Sequence, residues 1–260
     1  MELYQVRRYF SLKETAQHYC GKSIGKDTCA CIILLSGLHN ISNQSSAIHH
    51  RDMAEEAEER KMYKVSVLLE GYSYTDAEKR YRANGTCTLV TGKDNKVLVD
   101  TGSPRDKQRL LEKLKQHDVA PEEVNYVVCT HGHVDHVGNL NLFSNAVHMV
   151  SHDILQEQDI YVDPPEDFSK GAPYCIDCEN IQVISTPGHT HSDISVVVRG
   201  TEHGTVVICG DVFEHEGDGN LWEEYSEFPD KQRESRKRVL EIADWVVPGH
   251  GKMFNADKTY

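Results

Sequence analysis

The sequence predicts a layered α/β protein assembled in two halves. Two observations carry this. Short apolar stretches of strand character alternate with helical segments. Residues of metal-binding chemistry recur just after those stretches, beside glycine, as they do where strands end in loops on a rigid scaffold.

In chain order, residues 1–62 come first and differ from the rest. They mix Ser, Asn, His and charges without a clear period, and Ala54 to Lys61 (AEEAEERK) reads as a solvated helix. A loosely ordered extension is expected over residues 1–62, with the folded domain over 63–260. From Tyr63 the pattern sharpens. Val65, Val67 and Leu69 alternate in KVSVLLEG, which argues for a strand. Further strands are expected at Thr86 to Val90, Lys96 to Thr101, Tyr126 to Thr130 and Ala146 to Val150. The second half adds Ile181 to Ser185, Ile194 to Arg199, Thr205 to Cys209 and Trp245 to Val247. Pro104 to His117 starts with Pro in its first turn and sets Leu110, Leu111 and Leu114 on one face, so it reads as a helix. Pro229 to Ala243 reads as a second.

The 260 residues suffice for one large domain with a modest extension. No run approaches the ~18 apolar residues of a membrane span. A formal charge of −13 should repel nucleic acid and anionic membranes from most of the surface. A phosphate substrate would then need metals or a local basic patch. Met1-Glu2-Leu3-Tyr4 does not read as a signal peptide, and the eight cysteines form no small-scaffold framework. Cys175-Ile-Asp-Cys178 is read as ordinary thiols, with redox or metal roles left open. A reduced, intracellular protein is expected.

The informative run is His131-Gly132-His133-Val134-Asp135-His136, directly after the apolar YVVCT and so in the loop at that strand's end. Imidazole offers a neutral nitrogen and a carboxylate adds charge, which together suit a divalent cation. Three later positions complete the set. His189 follows IQVIS in TPGH, Asp211 follows TVVIC in CGD, and His250 follows WVV in PGHG. Each stands beside a glycine, where the backbone can turn sharply. One such histidine is ordinary; the repeated placement is not.

HGHVDH, TPGH, CGD and PGHG in this order resemble the metallo-β-lactamase superfamily, in its glyoxalase II-like branch. The likeness runs from about Tyr63 to Phe254. It implies a four-layered αβ/βα sandwich with the metal site at one edge of its two sheets. It also implies two divalent ions, Zn2+ first and Fe or Mn as alternatives. His131, His133 and His189 would hold the first ion; Asp135, His136 and His250 the second; Asp211 would bridge them. A hydroxide shared between ions ~3.5–4 Å apart would be the nucleophile, with Asp135 close enough to handle a proton as the catalytic residue. Asp100 matches the carboxylate that orients such a site without touching the ion; a turn-capping role is the alternative.

Within that family, Asp211 stands where common zinc β-lactamases have Cys. Only Gly251 to Tyr260 follow the last ligand, without the helical region with which glyoxalase II grips glutathione. Thirty-eight residues between Asp211 and His250 leave no room for the second domain of large RNA 3′-end nucleases. Longer strings such as THGHVDHVGNLNLF and SRKRVLEIADWVVPGHG resemble a branch whose implied activity is endoribonucleolytic cleavage of histone pre-mRNA 3′ ends. That resemblance also implies a homodimer, and pre-mRNA processing implies a nuclear as well as a cytosolic pool. Arg233, Arg236, Lys237 and Arg238 form a basic run, read either as an RNA contact or as a solvated helix face pairing with Glu234 and Glu241. A small-molecule thioesterase or lactonase, and a catalytically idle metal-binding or metal-homeostasis protein, stand as alternatives.

Overall fold

The computed structural model describes residues 63–92 and 94–256. The extension expected over residues 1–62 lies outside them. The strands of the first half are β1 (Lys64–Leu69), β2 (Tyr72–Thr75), β3 (Tyr81–Asn84), β4 (Cys87–Thr91), β5 (Lys96–Val99), β6 (Tyr126–Cys129), β7 (Val147–Val150), β8 (Asp153–Gln156) and β9 (Ile160–Val162). The second half contributes β10 (Tyr174–Asp177), β11 (Ile181–Ser185), β12 (Ile194–Thr201), β13 (Gly204–Gly210), β14 (Trp245–Pro248) and β15 (Phe254–Asn255). The helices are α1 (Lys107–Gln116), α2 (Val134–Val137), α3 (Trp222–Tyr225) and α4 (Pro229–Ile242).

Among the described residues, a seven-stranded sheet runs β1-β4-β5-β6-β7-β8-β9, a six-stranded sheet runs β10-β11-β12-β13-β14-β15, and β2 and β3 form a separate hairpin. Strand alternation explains why the two large sheets stack. Val97, Val99 and Val128 of the first sheet meet Val196, Val198, Val206 and Ile208 of the second in one buried cluster. The intervening residues face outward. Leu98 and Val127 pack with Leu110 and Leu114 of α1, while Val197, Val207 and Val246 pack with Val239 of α4. Strands buried on both faces read as nearly continuous apolar runs, which is why they were visible in the sequence. The layers are therefore αβ/βα, as expected.

Several elements differ from expectation. The first helix opens with a 3-10 turn at Pro104–Asp106 before α1, and Leu110 and Leu114 are buried while Leu111 is only partly so. The hairpin β2–β3, the strands β8, β9 and β10, and the one-turn helix α2 were not expected. YSYT and YRAN expose most of their side chains, so no apolar run marks them. α2 begins inside the HGHVDH run, which is thus half loop and half helix. No described helix is long and apolar enough to cross a membrane.

Candidate metal centre

The second sheet sets the geometry. β13 and β14 are parallel, with Gly210 in register with Pro248, so Asp211 and His250 emerge at the same end. Gly249 lies so close that a Cβ there would strike the Asp211 carboxylate, which explains the glycine before His250. β6 is parallel to β5 and β7 and delivers His131 from the first sheet. Gly188, at φ +149°, lies against the backbone of Gln232 on α4, and only glycine fits there.

These strand ends converge on one carboxylate. Asp211 Oδ2 is 3.2 Å from His189 Nε2, 3.2 Å from His250 Nε2 and 3.6 Å from His131 Nε2. Asp211 Oδ1 is 3.3 Å from His136 Nε2. His133 Nδ1 is 3.1 Å from His189 Nε2. Asp135 is the outlying member, its carboxylate 4.0 Å from His136 Nε2. Ligand atoms of His131, His133, His189 and Asp211 lie within 4.8 Å of one another, and so do those of Asp135, His136 and His250. All seven sequence candidates are therefore brought together, in the two groups the resemblance implies.

The surroundings fix the ring orientations. Asp100, at φ +58°, turns back at the end of β5. Its Oδ2 lies 2.8 Å from His136 Nδ1, and its Oδ1 accepts from Thr130 N at 2.7 Å. Asp100 thus aims His136 and anchors the start of the His131 loop at once. His250 Nδ1 donates to Asn84 O at 3.0 Å, so the hairpin helps hold the last histidine. With Nδ1 engaged, Nε2 of each ring is turned toward Asp211, where loss of its proton would free a lone pair for a metal ion. Asp193 accepts from Gly188 N, Thr190 N and Thr190 Oγ1, which locks the His189 turn. Gln232 Nε2 donates to Asp211 O, and Ser235 Oγ donates to Pro187 O, so α4 braces two ligand loops.

The residues fit divalent ions. Among the described residues, buried His131 Nε2, His136 Nε2, His189 Nδ1 and Asp211 Oδ1 have no hydrogen-bond partner, and such orphaned groups are costly. Electrostatics say the same. Burial disfavours charge on His136, but the Asp211 and Asp100 carboxylates outweigh it and raise its pKa well above the usual value. His250 is likewise opposed by burial but pushed up to about 9 by Asp211. His131 and His189 are pushed down by burial. Asp211 would rise on burial, yet the histidines hold it well below the carboxylate range. The cluster demands positive charge, which divalent ions supply while releasing protons.

The basic run is corrected in part. Arg236 is 5% exposed, with its guanidinium on both oxygens of Asp218 at 2.6 and 2.8 Å and stacked over Phe213. It cannot meet RNA. Arg233 pairs with Glu223 and Asp230 rather than with Glu234. Lys237 and Arg238 line a groove with Lys170, Lys231, Glu234 and Glu241, beside Ser185 and Pro187. Sequence reasoning missed Glu214, a buried carboxylate pushed up to about 7 by its burial. It also missed Asn84, Asp193 and Gln232. Of these, only Asp193 carried a signal, an Asp four residues past His189.

Two stacked sheets with a histidine and carboxylate cluster at one edge define a metallohydrolase architecture. The chain belongs to the metallo-β-lactamase superfamily, whose sequence model matches residues 80–250. It is similar to metallo-β-lactamase domain-containing protein 1 of Xenopus laevis, 49% identical over 197 residues, covering 75% of this chain and 83% of that protein. The Homo sapiens protein of that name is 41% identical over 220 residues, covering 74% and 82%. Among solved structures, Bacillus thuringiensis AiiA with N-decanoyl-L-homoserine bound superposes with a TM-score of 0.52 at 18% identity, covering 73% and 93%. That likeness concerns the fold.

Proposed function

We propose that this metallo-β-lactamase superfamily hydrolase cleaves RNA, using two divalent ions held by His131, His133, Asp135, His136, His189, Asp211 and His250. Divalent ions bound there would supply a water of lowered pKa and electrostatic stabilisation of phosphorus-bound oxygens. The chain's own residues do the rest. Asp211 ties the two ligand groups together, and Asp100 fixes His136. His133 is exposed and Asp135 half-buried, so that side is open to substrate, and Asp135 is placed to take a proton.

The observation that carries the RNA reading is a set of exposed tyrosines beside the centre. Tyr72, Tyr74 and Tyr81 of the β2–β3 hairpin and Tyr225 of α3 are 40–54% exposed. The Tyr81 and Tyr225 rings lie 5.0 Å apart. Ser73 and Asn84 tie this hairpin to Glu214 and His250. Bases stack on such rings, each contact contributing ~1–3 kcal/mol without sequence preference. The groove near the His189 loop sets Lys170, Lys231, Lys237 and Arg238 against Glu234 and Glu241, a basic excess that supports phosphate binding on a chain of charge −13. The histone pre-mRNA 3′ end as the particular RNA, a homodimer, and a distribution between cytosol and nucleus belong to the same proposal.

A second reading is a lactonase or thioesterase, favoured by the fold shared with AiiA. Single-stranded RNA, a homoserine lactone and a thioester should be assayed side by side on wild type, Tyr74→Ala, Tyr81→Ala and Lys237→Gln. The RNA reading expects each tyrosine replacement to lower RNA cleavage about 5- to 100-fold and to spare the small substrates. Lactone hydrolysis without RNA cleavage would establish the second reading instead.

A further inference from the structure

Glu214 stands apart from the seven ligands. Its side chain is 2% exposed, yet Oε1 has no hydrogen-bond partner among the described residues. Its Oε2 is 3.9 Å from His250 Nε2 and meets Ser73 Oγ at a long 3.4 Å. Among the described residues, no Lys or Arg forms an ion pair with it. The nearby guanidinium of Arg236 is committed to Asp218. A buried carboxylate left this way is costly unless a cation meets it. Ligand atoms of Asp211, Glu214 and His250 lie within 4.8 Å of one another, a spacing that an ion at ~2.0–2.3 Å from each ligand accommodates.

We infer that Glu214 is a further metal ligand, giving a carboxylate oxygen to the second ion on the side where Asp211 and His250 face it. The inference rests on the binuclear reading and deepens it. Its backbone is already set for the task, because Glu214 N donates to Asp218 and Glu214 O accepts from His250 N. The same short segment thus fixes both the carboxylate and the histidine. With Asp135, His136, His250, Asp211 and Glu214 around it, the second position is richer in oxygen than the first and exceeds the four ligands that Zn2+ prefers. Such a set favours a harder ion of higher coordination number, with Mn2+ the accessible probe.

The test is titration of the metal-stripped full chain with Mn2+ alone and Zn2+ alone, by calorimetry and chelator competition. Wild type, Glu214→Gln and Glu214→Ala are compared, with circular dichroism as a check on folding. The Ala variant guards against an amide oxygen that itself ligates. The expected result is a second Mn2+ equivalent weakened ~10-fold or more, a first equivalent unchanged, and a stripped protein that keeps the wild-type circular dichroism. Two equivalents bound with unchanged affinity in both variants would overturn the role of Glu214. A wild type that binds one equivalent only would overturn the binuclear reading beneath it, which separates the two failures.

Discussion

Replacing Arg236 with Met should destabilise the fold without touching the metal ligands. Arg236 and Asp218 are 5% and 1% exposed and share two short hydrogen bonds. Arg236 also donates to Val212 O, one residue beyond Asp211. Its loss takes the guanidinium from the buried Asp218 carboxylate, and breaking a buried pair in this way costs about 3–5 kcal/mol. Domains of this size lose about 2–4 °C per kcal/mol, so the melting midpoint should fall about 6–20 °C. Thermal melts of metal-stripped protein at one fixed pH and concentration measure it directly. Arg236→Met with Asp218→Leu should recover most of the loss, since replacing both partners removes the stranded charge. A single variant that melts within about 2 °C of wild type yet loses RNA affinity would refute the reasoning. Arg236 would then act on ligand and not on the fold.

The other expectations are narrower. His133→Ala removes an exposed ligand, so metal content and hydrolysis should fall sharply while the melting midpoint of stripped protein moves little; elemental analysis and melts check this. Asp100→Asn keeps the shape but weakens the hold on His136, and metal affinity should drop ~10- to 100-fold in a chelator competition. Burial alone would raise the Asp106 pKa, but hydrogen bonds from Asn84 and Ser103, with Arg109 alongside, hold it below the carboxylate range. Its stabilising contribution is therefore present above the unfolded pKa of ~3.9 and lost as pH falls through the lower folded value. Asp106→Asn should flatten the acid side of the stability curve, read by denaturant melts between pH 5 and 2.

How much of this was legible follows from what one sequence can encode. Val97 to Val99 and Val206 to Ile208 are buried on both faces of their sheets, so their composition alone marks them as strands. The metal centre was legible because HGHVDH packs four ligands after one strand and His189, Asp211 and His250 each adjoin a glycine at another strand's end. The hairpin at Tyr72 to Asn84 was not, because its tyrosines face solvent and its role depends on Asn84 meeting His250, 166 residues away. Arg236 reads as a surface base because helical spacing cannot reveal an Asp218 waiting in a loop. Glu214 was missed for a related reason. It follows CGDVF without motif or spacing of its own, and only the fold brings it against His250.

Metal content of replete, desalted protein tests the central claim most directly. Elemental analysis should find close to two divalent ions per chain, falling to one or fewer in His136→Ala, because His131, His133 and His189 remain for the first ion while the second loses a buried ligand. One tightly held ion in wild type, under conditions saturating in Zn2+ and in Mn2+, would contradict the account.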